Sequence, residues 1–161
     1  MNAAEIHLAI NHLPIAATLF GLLILIGGML VKSGMVRKTG LVLLIAAGLF
    51  TIPTVLTGEN AEDIIENVVP DEGIHDIIHE HEEMAESARW VSLGVSLLAI
   101  LAFYFTHAKK APARLFTIIT LIAATGSMVY LGNVASTGGE IRHTETRDGF
   151  VVPAENSDGE H

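Results

Sequence analysis

Histidines and carboxylates are concentrated in one short stretch of the chain, residues 71–90, which holds three histidines and seven carboxylates. Imidazole nitrogens and carboxylate oxygens together form the ligand set of zinc, iron, manganese and copper(II). His75 and His79 are four residues apart and share one helix face, whereas His81 points elsewhere. Acidic residues are also typical of exposed helix N-termini. The stretch by itself therefore fits both a metal site and a solvated helix end. The helices that position it decide between the two interpretations.

Four long segments without Asp, Glu, Lys or Arg predict those elements: residues 6–31, 41–58, 91–108 and 115–139. At a rise of about 1.5 Å per residue, residues 6–31 are long enough to cross a hydrocarbon core of about 30 Å with some tilt, and the other three segments, of 18 to 25 residues, fall within the range of about 17–25 residues for a membrane-spanning helix. Helices two and three should extend beyond the outer membrane surface, through the acidic residues 59–69 and from Asp71 or Glu72 onward. We therefore predict an all-α, four-helix transmembrane bundle in a domain of residues 1–150, followed by a flexible acidic tail, 151–161.

Composition excludes several classes of function. The chain has no cysteine, which excludes disulfides, thiolate metal sites and iron–sulfur clusters. The net charge is −9 and no basic stripe is present, so nucleic acid is not an expected partner. No basic residue precedes the first apolar segment and no small-residue cleavage pattern ends it, so we expect no removable signal peptide.

The charges are sorted between the two ends of the predicted bundle. The connections after spans one and three hold six of the nine basic residues and no acidic residue, while all eighteen carboxylates fall at the opposite end. The positive-inside rule then places both basic connections in the cytoplasm. Both termini and the acidic connection face outward, as do seven of the eight histidines. The expected location is a bacterial inner membrane.

Small residues predict which helix faces point inward, because helices in lipid pack through them. On helix three this stripe is His81, Ala85, Ala88, Ser92, Ser96 and Ala99, which favours His81 as the inward histidine and directs His79 toward headgroups and lipid. Helix four has Ala113, Thr117, Thr120, Ala124, Ser127, Ala135 and Gly138, and helix two has Ala47, Thr51, Thr54 and Gly58. Helix one is ambiguous between a face with His12 and one with His7.

Each helix thus brings one histidine or glutamate to the outer end: His12, Glu59, His81 and His143. Four-helix bundles build metal sites from such converging side chains. Glu62 lies one turn beyond Glu59, and Glu82 follows His81. The predicted metal ligands are accordingly His12, Glu59, Glu62, His81, Glu82 and His143.

These residues also carry a resemblance. The opening His7-x4-His12-x-Pro14 resembles that of an uncharacterised bacterial family of four-span membrane proteins, domain of unknown function 2231. Related unnamed proteins share an NHxP segment, a TGExAE segment, an HEExA segment and a GGxIRHxE exit, which correspond here to residues 11–14, 57–62, 81–85 and 138–145. The resemblance implies a four-span fold and a clustered site that also includes Glu145, but no activity.

Three functions remain open at this point. The leading hypothesis is an integral membrane protein with a non-haem site for iron, copper, manganese or zinc, with a redox role and a periplasmic or membrane redox partner. The second is a haem b cytochrome with two axial ligands chosen from His12, His81 and His143. The third is a cofactor-free structural or assembly subunit of a membrane complex. The sequence does not decide whether the protein is an enzyme, nor its oligomeric state.

The topology is testable because the chain has no cysteine of its own. Single cysteines at Ser33 and Ala111 should resist a membrane-impermeant thiol reagent in intact cells, since both positions are predicted to be cytoplasmic. A cysteine at Ser157 should react. Reversed labelling would contradict the predicted orientation.

Overall fold

The computed structural model describes residues 1–66, 72–147 and 149–151. These form the helices α1 (Ala3–Ile10), α2 (Leu13–Leu30), α3 (Gly34–Glu66), α4 (Glu72–His107) and α5 (Ala113–Arg142), followed by a 3-10 turn, Thr144–Thr146. These helices form four segments that are long and apolar enough to cross a membrane. Helices α1 and α2 together form the first segment, and α3, α4 and α5 form the other three. The predicted all-α, four-helix bundle is confirmed. Residues 67–69 of the predicted helix-two extension and most of the predicted tail, from residue 152, lie outside the described residues.

The first span is two helices rather than one. Asn11 and His12 separate α1 from α2, and Pro14 lies in the first turn of α2, where its missing N–H breaks no hydrogen bond. The start of α1 is fixed by a capping box, in which the Asn2 side chain accepts from the Glu5 N–H at 2.9 Å and Glu5 accepts from the Asn2 N–H at 3.0 Å. The short helix α1 packs against α3.

Two matching turns make consecutive helices antiparallel. After α2, the Ser33 N–H donates to the Gly28 carbonyl at 3.0 Å, and after α4 the Lys110 N–H donates to the Phe105 carbonyl at 3.0 Å. These are Schellman motifs, in which Lys32 and Lys109 take the left-handed conformation with φ of 54° and 52°. Short connections of this kind place neighbouring helices side by side. One end of the bundle thereby collects six basic residues: Lys32, Arg37, Lys38, Lys109, Lys110 and Arg114.

Helix α3 continues through Pro53 as a single helix. A proline inside a helix leaves the carbonyl four residues earlier, here that of Leu49, without its usual partner. The sequence predicts that a threonine hydroxyl or a neighbouring helix compensates. The flanking threonines do bond to this turn, but to the adjacent carbonyls: Thr51 donates to Gly48 at 2.6 Å and Thr54 to Phe50 at 2.8 Å.

The predicted small-residue stripe of α4 forms the centre of the bundle. Ala88, Ser92, Ser96 and Ala99 are buried. The Ser96 hydroxyl lies 3.2 Å and 3.1 Å from the carbonyl oxygens of Leu44 and Ile45 on α3, and the Ser92 hydroxyl is 3.4 Å from that of Ser127 on α5. Helix α4 therefore lies between α3 and α5 and contacts both through serine.

The predicted stripe of α5 is confirmed in its first half and wrong at Ala135. Thr117, Thr120, Ala124 and Ser127 are buried, but Ala135 is exposed. Leu131 and Val134 are buried instead. The series Ser127, Leu131, Val134 and Gly138 keeps the three- and four-residue steps of one helix face, and Ala135 lies about 70° from the centre of that face. Packing geometry therefore overrides the preference for a small residue.

Large apolar side chains cover the outside of the bundle. Leu30 is 76% exposed, Ile122 68% and Val129 64%. Large apolar side chains exposed along all four spans are unusual for a soluble monomer and are what contact with lipid requires. The surface of the four helices is therefore that of a protein embedded in a bilayer.

The contact of α3 with α4 depends on Gly48. A Cβ at this position would fall against the Ser96 hydroxyl and the Ser92 backbone. Gly48→Ala should therefore lower the stability of the detergent-solubilised protein by about 1–3 kcal/mol, the usual cost of overpacking, measured as a lower unfolding midpoint.

Gly126→Ala is the matched control, because no atom lies within 4 Å of a Cβ built at Gly126. Equal midpoints for the two variants would show that α3 and α4 do not approach closely at Gly48.

Candidate functional site

The acidic end of the bundle, opposite the six basic residues, is built from parts of four helices. It contains α1, the last turns of α3, the first turns of α4 and the last turns of α5. Ala61 and Ile78 are 5% exposed, so α3 and α4 remain packed against each other in their acidic extensions. This packing gives the polar side chains around them defined positions.

One group of ligand-type side chains converges within the described part of the chain. Glu62 of α3 and His79 and Glu82 of α4 each offer a ligand atom, and these atoms lie within 4.8 Å of one another. His79 and Glu82 are three residues apart, so they are neighbours on the α4 surface. Glu62 and Glu82 are half-buried, and His79 is exposed. The group therefore spans the boundary between α3 and α4.

The spacing of these three atoms is close to that of a metal site. Two ligands at about 2.0–2.1 Å from a tetrahedral ion are roughly 3.3 Å apart, so each ligand atom needs to move inward by at most about 1 Å. His79 and its neighbour Glu83, at 3.5 Å, have side chains that are 70% and 73% exposed. Of the three ligands, the exposed His79 can make this adjustment by changing its rotamer, without rearrangement of the helices.

His81 lies on the opposite side of α4, where it faces α5. Its Nδ1 is 3.1 Å from the hydroxyl of Thr137, and its ring rests on Gly138, where a Cβ would be 2.8 Å from the His81 Cε1. The side chain is half-buried. The prediction that His81 is the inward histidine of helix three is confirmed, and its partners are on α5.

His7 occupies an equivalent position on α1, which the sequence left undecided. Its Nδ1 is 2.9 Å from the Thr54 carbonyl oxygen, and its ring rests on Gly58, where a Cβ would be 3.1 Å from the His7 Cε1. His7 is half-buried, and Thr18 and Gly21 on α2, which the sequence pattern groups with it, are buried. The break at residues 11–12 obscured this choice, because a helical repeat cannot be counted across it. The sequence signal that could have selected His7 is the pair Thr54 and Gly58, which lie one turn apart on α3 and together accommodate the ring.

The remaining predicted ligands have other surroundings. His12 is exposed at the start of α2. Glu59 lies 3.8 Å from Arg89, which also bonds to Glu86 at 3.0 Å. His143, 64% exposed, ends α5 and lies 2.9 Å from the Glu145 carboxylate. Hydrogen bonds from its own backbone N–H and from His143 lower the pKa of Glu145.

The six predicted ligands are thus not brought together as one cluster. Of the converging group found in the described residues, Glu62 and Glu82 belong to the predicted set and His79 does not. His79 is 70% exposed, as expected for a side chain directed toward headgroups, and its ligand atom also lies within 4.8 Å of that of Glu62 across the helix boundary. The helical repeat gives the direction of a side chain from its own axis, but not which residues of the next helix lie within its reach.

No family model matches the chain, and neither a curated protein nor a solved structure matches it.

The contact of the His81 ring with Gly138 can be tested by substitution at two adjacent glycines. Gly138→Ala should displace the imidazole and lower the free energy of unfolding by about 1–3 kcal/mol through overpacking. Gly139→Ala is the control, because no atom lies within 4 Å of a Cβ there and alanine favours the helix. Unfolding midpoints of the two variants, measured in the same detergent, provide the test. If the Gly138→Ala protein is as stable as the Gly139→Ala protein, the ring does not rest on Gly138.

Proposed function

We propose that the protein is an integral membrane protein that binds a divalent first-row transition metal through Glu62, His79 and Glu82. The observation that carries the proposal is the approach of three ligand atoms, from two helices, to within 4.8 Å of one another. Two ionised carboxylates repel each other at this separation, and a divalent cation removes that repulsion. The ion would also link the extensions of α3 and α4 outside the hydrocarbon.

The ligand set favours particular metals. One imidazole and two carboxylates suit zinc, iron(II) and manganese(II), whereas soft copper(I) prefers sulfur or nitrogen alone. Three protein ligands leave at least one coordination position for water or a small ligand, as in catalytic rather than structural sites. An electron-transfer role requires iron, copper or manganese, since zinc has a single oxidation state in proteins. The identity of the retained metal therefore tests whether the site has an electron-transfer role.

The location of the site follows from the charge distribution. The positive-inside rule places the basic end in the cytoplasm, which puts Glu62, His79 and Glu82 on the outer side of a bacterial inner membrane. The exposed His79 is accessible from there to a periplasmic or membrane redox partner. The resemblance to the four-span family of unknown function marks Glu62 and Glu82 as well. The bis-histidine haem hypothesis has less support, because His12 and His143 are both exposed.

Metal analysis of the purified protein tests the proposal. Glu62→Gln, His79→Ala and Glu82→Gln should each lower the metal content, because each removes a ligand. Glu80→Gln, an exposed carboxylate on the same helix, should leave it unchanged. Because protons compete with the metal for its ligands, the wild-type protein should lose its metal on acidification.

Two outcomes would contradict the assignment. If the Glu80→Gln variant lost as much metal as the three ligand variants, the effect would be one of surface charge. If wild-type protein from cells supplied with iron, copper, manganese and zinc held neither metal nor haem, the cofactor-free structural subunit would be favoured.

A further inference from the structure

An open groove lies between α3 and α4 at the basic end of the bundle, opposite the Glu62–His79–Glu82 group. The groove has a volume of about 300 Å³. Residues from both helices line it: Met35, Lys38, Thr39 and Val42 of α3, and Phe103 of α4. The four α3 residues follow each other at steps of three, one and three, so they share one face of the helix. Phe103 forms the opposite wall.

The walls of the groove are apolar and continue the lipid-facing surface of the bundle. Met35 is 76% exposed, Val42 is 50% exposed, and Phe103 is half-buried. His107 stacks on Phe103 with the ring centroids 6.1 Å apart, which extends the aromatic wall toward the end of α4. Because Val42 lies one turn deeper in the bilayer than Lys38, the groove leads from the headgroup level into the hydrocarbon. Its occupant therefore needs an apolar part that continues into the bilayer.

Lys38 gives the groove a positive charge that the neighbouring helices do not neutralise. It is half-buried, and among the described residues its ammonium takes part in no ion pair. The nearest carboxylate on α3 is Glu59, 21 residues further along, which is about 31 Å at 1.5 Å per residue. On α4 the nearest is Glu86, 17 residues before Phe103, or about 25 Å away. Helix α2 has no carboxylate, and Glu140 of α5 lies at the far end. An anion that pairs with Lys38 therefore comes from outside these helices.

A phospholipid with a net negative charge has both of the required properties. Its phosphate lies at the headgroup level, and its acyl chains extend into the hydrocarbon. Basic pockets between transmembrane helices on the cytoplasmic side bind anionic lipid headgroups, and the positive-inside rule places this end in the cytoplasm. A free phosphate ester would leave the apolar walls uncovered. A soluble peptide would have to bring its backbone polar groups into hydrocarbon, which is costly.

We propose that the groove between α3 and α4 binds one anionic phospholipid, with its phosphate beside Lys38 and the upper part of one acyl chain between Val42 and Phe103. A volume of about 300 Å³ is at the lower limit of ligand sites, so the rest of the lipid remains in the bilayer. The exposed Thr39 hydroxyl bonds to the Met35 carbonyl at a long 3.3 Å and can turn to donate to a phosphate oxygen. The site is independent of the proposed function, since it lies at the other end of the bundle and uses none of its ligands.

Native mass spectrometry of the full chain in detergent tests this site, because it counts bound lipids and gives an affinity for the first one. Dioleoyl phosphatidylglycerol, which is anionic, is compared with dioleoyl phosphatidylcholine, which is zwitterionic and has the same acyl chains. Wild type should bind phosphatidylglycerol at least about fivefold more tightly, the factor expected for one lysine beside an anionic headgroup. Glycerophosphoglycerol, the same headgroup without acyl chains, should not displace the lipid.

Two pairs of variants test the charge and the groove separately. Lys38→Gln should lower the affinity for phosphatidylglycerol about fivefold, whereas Lys38→Arg should keep it. Arg114→Gln is the matched control for charge, because it removes one positive charge from the same end, on α5 and outside the groove. Val42→Trp should lower the affinity to that of Lys38→Gln, because the indole would occupy the groove. Val129→Trp, at another exposed valine on α5, should leave the affinity unchanged.

Four outcomes would overturn the proposal. Equal affinity of wild type for the two lipids would show that the groove does not select an anionic headgroup. Equal losses in Lys38→Gln and Arg114→Gln would show an effect of surface charge alone. Equal affinities of Val42→Trp and Val129→Trp would show that the lipid does not bind in the groove. Displacement by glycerophosphoglycerol would indicate a site for a soluble phosphate ester.

A cross-linking experiment on the wild-type protein does not depend on any variant. Phosphatidylglycerol with a photoreactive diazirine near the top of one acyl chain is added to phosphatidylcholine vesicles that contain the protein, and mass spectrometry locates the labelled residues. The label should concentrate at Val42 and Phe103, and it should decrease when unlabelled phosphatidylglycerol, but not phosphatidylcholine, is in excess. Equal labelling of exposed residues on α5, such as Ile122 and Val129, would show annular lipid only and would overturn the proposal.

Discussion

The hydrocarbon interior of a bilayer offers no hydrogen-bond partners, and the packing of this protein follows from that constraint. Serine and threonine side chains in the bundle centre bond to carbonyls of their own or the adjacent helix. The Ser96 hydroxyl bonds to carbonyls of α3, at the point where α4 packs against Gly48. Because lipid is as apolar as leucine, such close contacts stabilise the bundle more than apolar burial does. The large apolar side chains are accordingly turned outward.

The same use of glycine determines the geometry of the acidic end. At Gly48 the missing side chain admits a serine, whereas at Gly58 and Gly138 it admits an imidazole. The two histidines thereby become part of the helix packing, and their Nδ1 atoms bond to oxygens of the helices they rest on. Their orientation thus depends on contacts between helices, so the chemistry of this end and the stability of the bundle are linked.

Helix α4 presents different chemistry on its two sides. Toward α3 it presents His79 and Glu82, which with Glu62 form a charged, partly exposed group. Toward α5 it presents His81, which is half-buried beside Thr137. Two residues of sequence separation, at about 100° each, are sufficient to separate these environments.

The sequence by itself determined the number of spans, the helical class and the separation of charge, because each depends on composition and on a local 3.6-residue repeat. It also determined the inward face of α4, including His81, for the same reason. Only the tertiary structure decided which side chains meet: His79 with Glu62, His7 with Thr54 and Gly58, and Arg89 with Glu59. Such pairings join residues far apart in the chain. They depend on the break at residues 11–12 and on how far a long side chain extends from its helix. No local repeat contains that information.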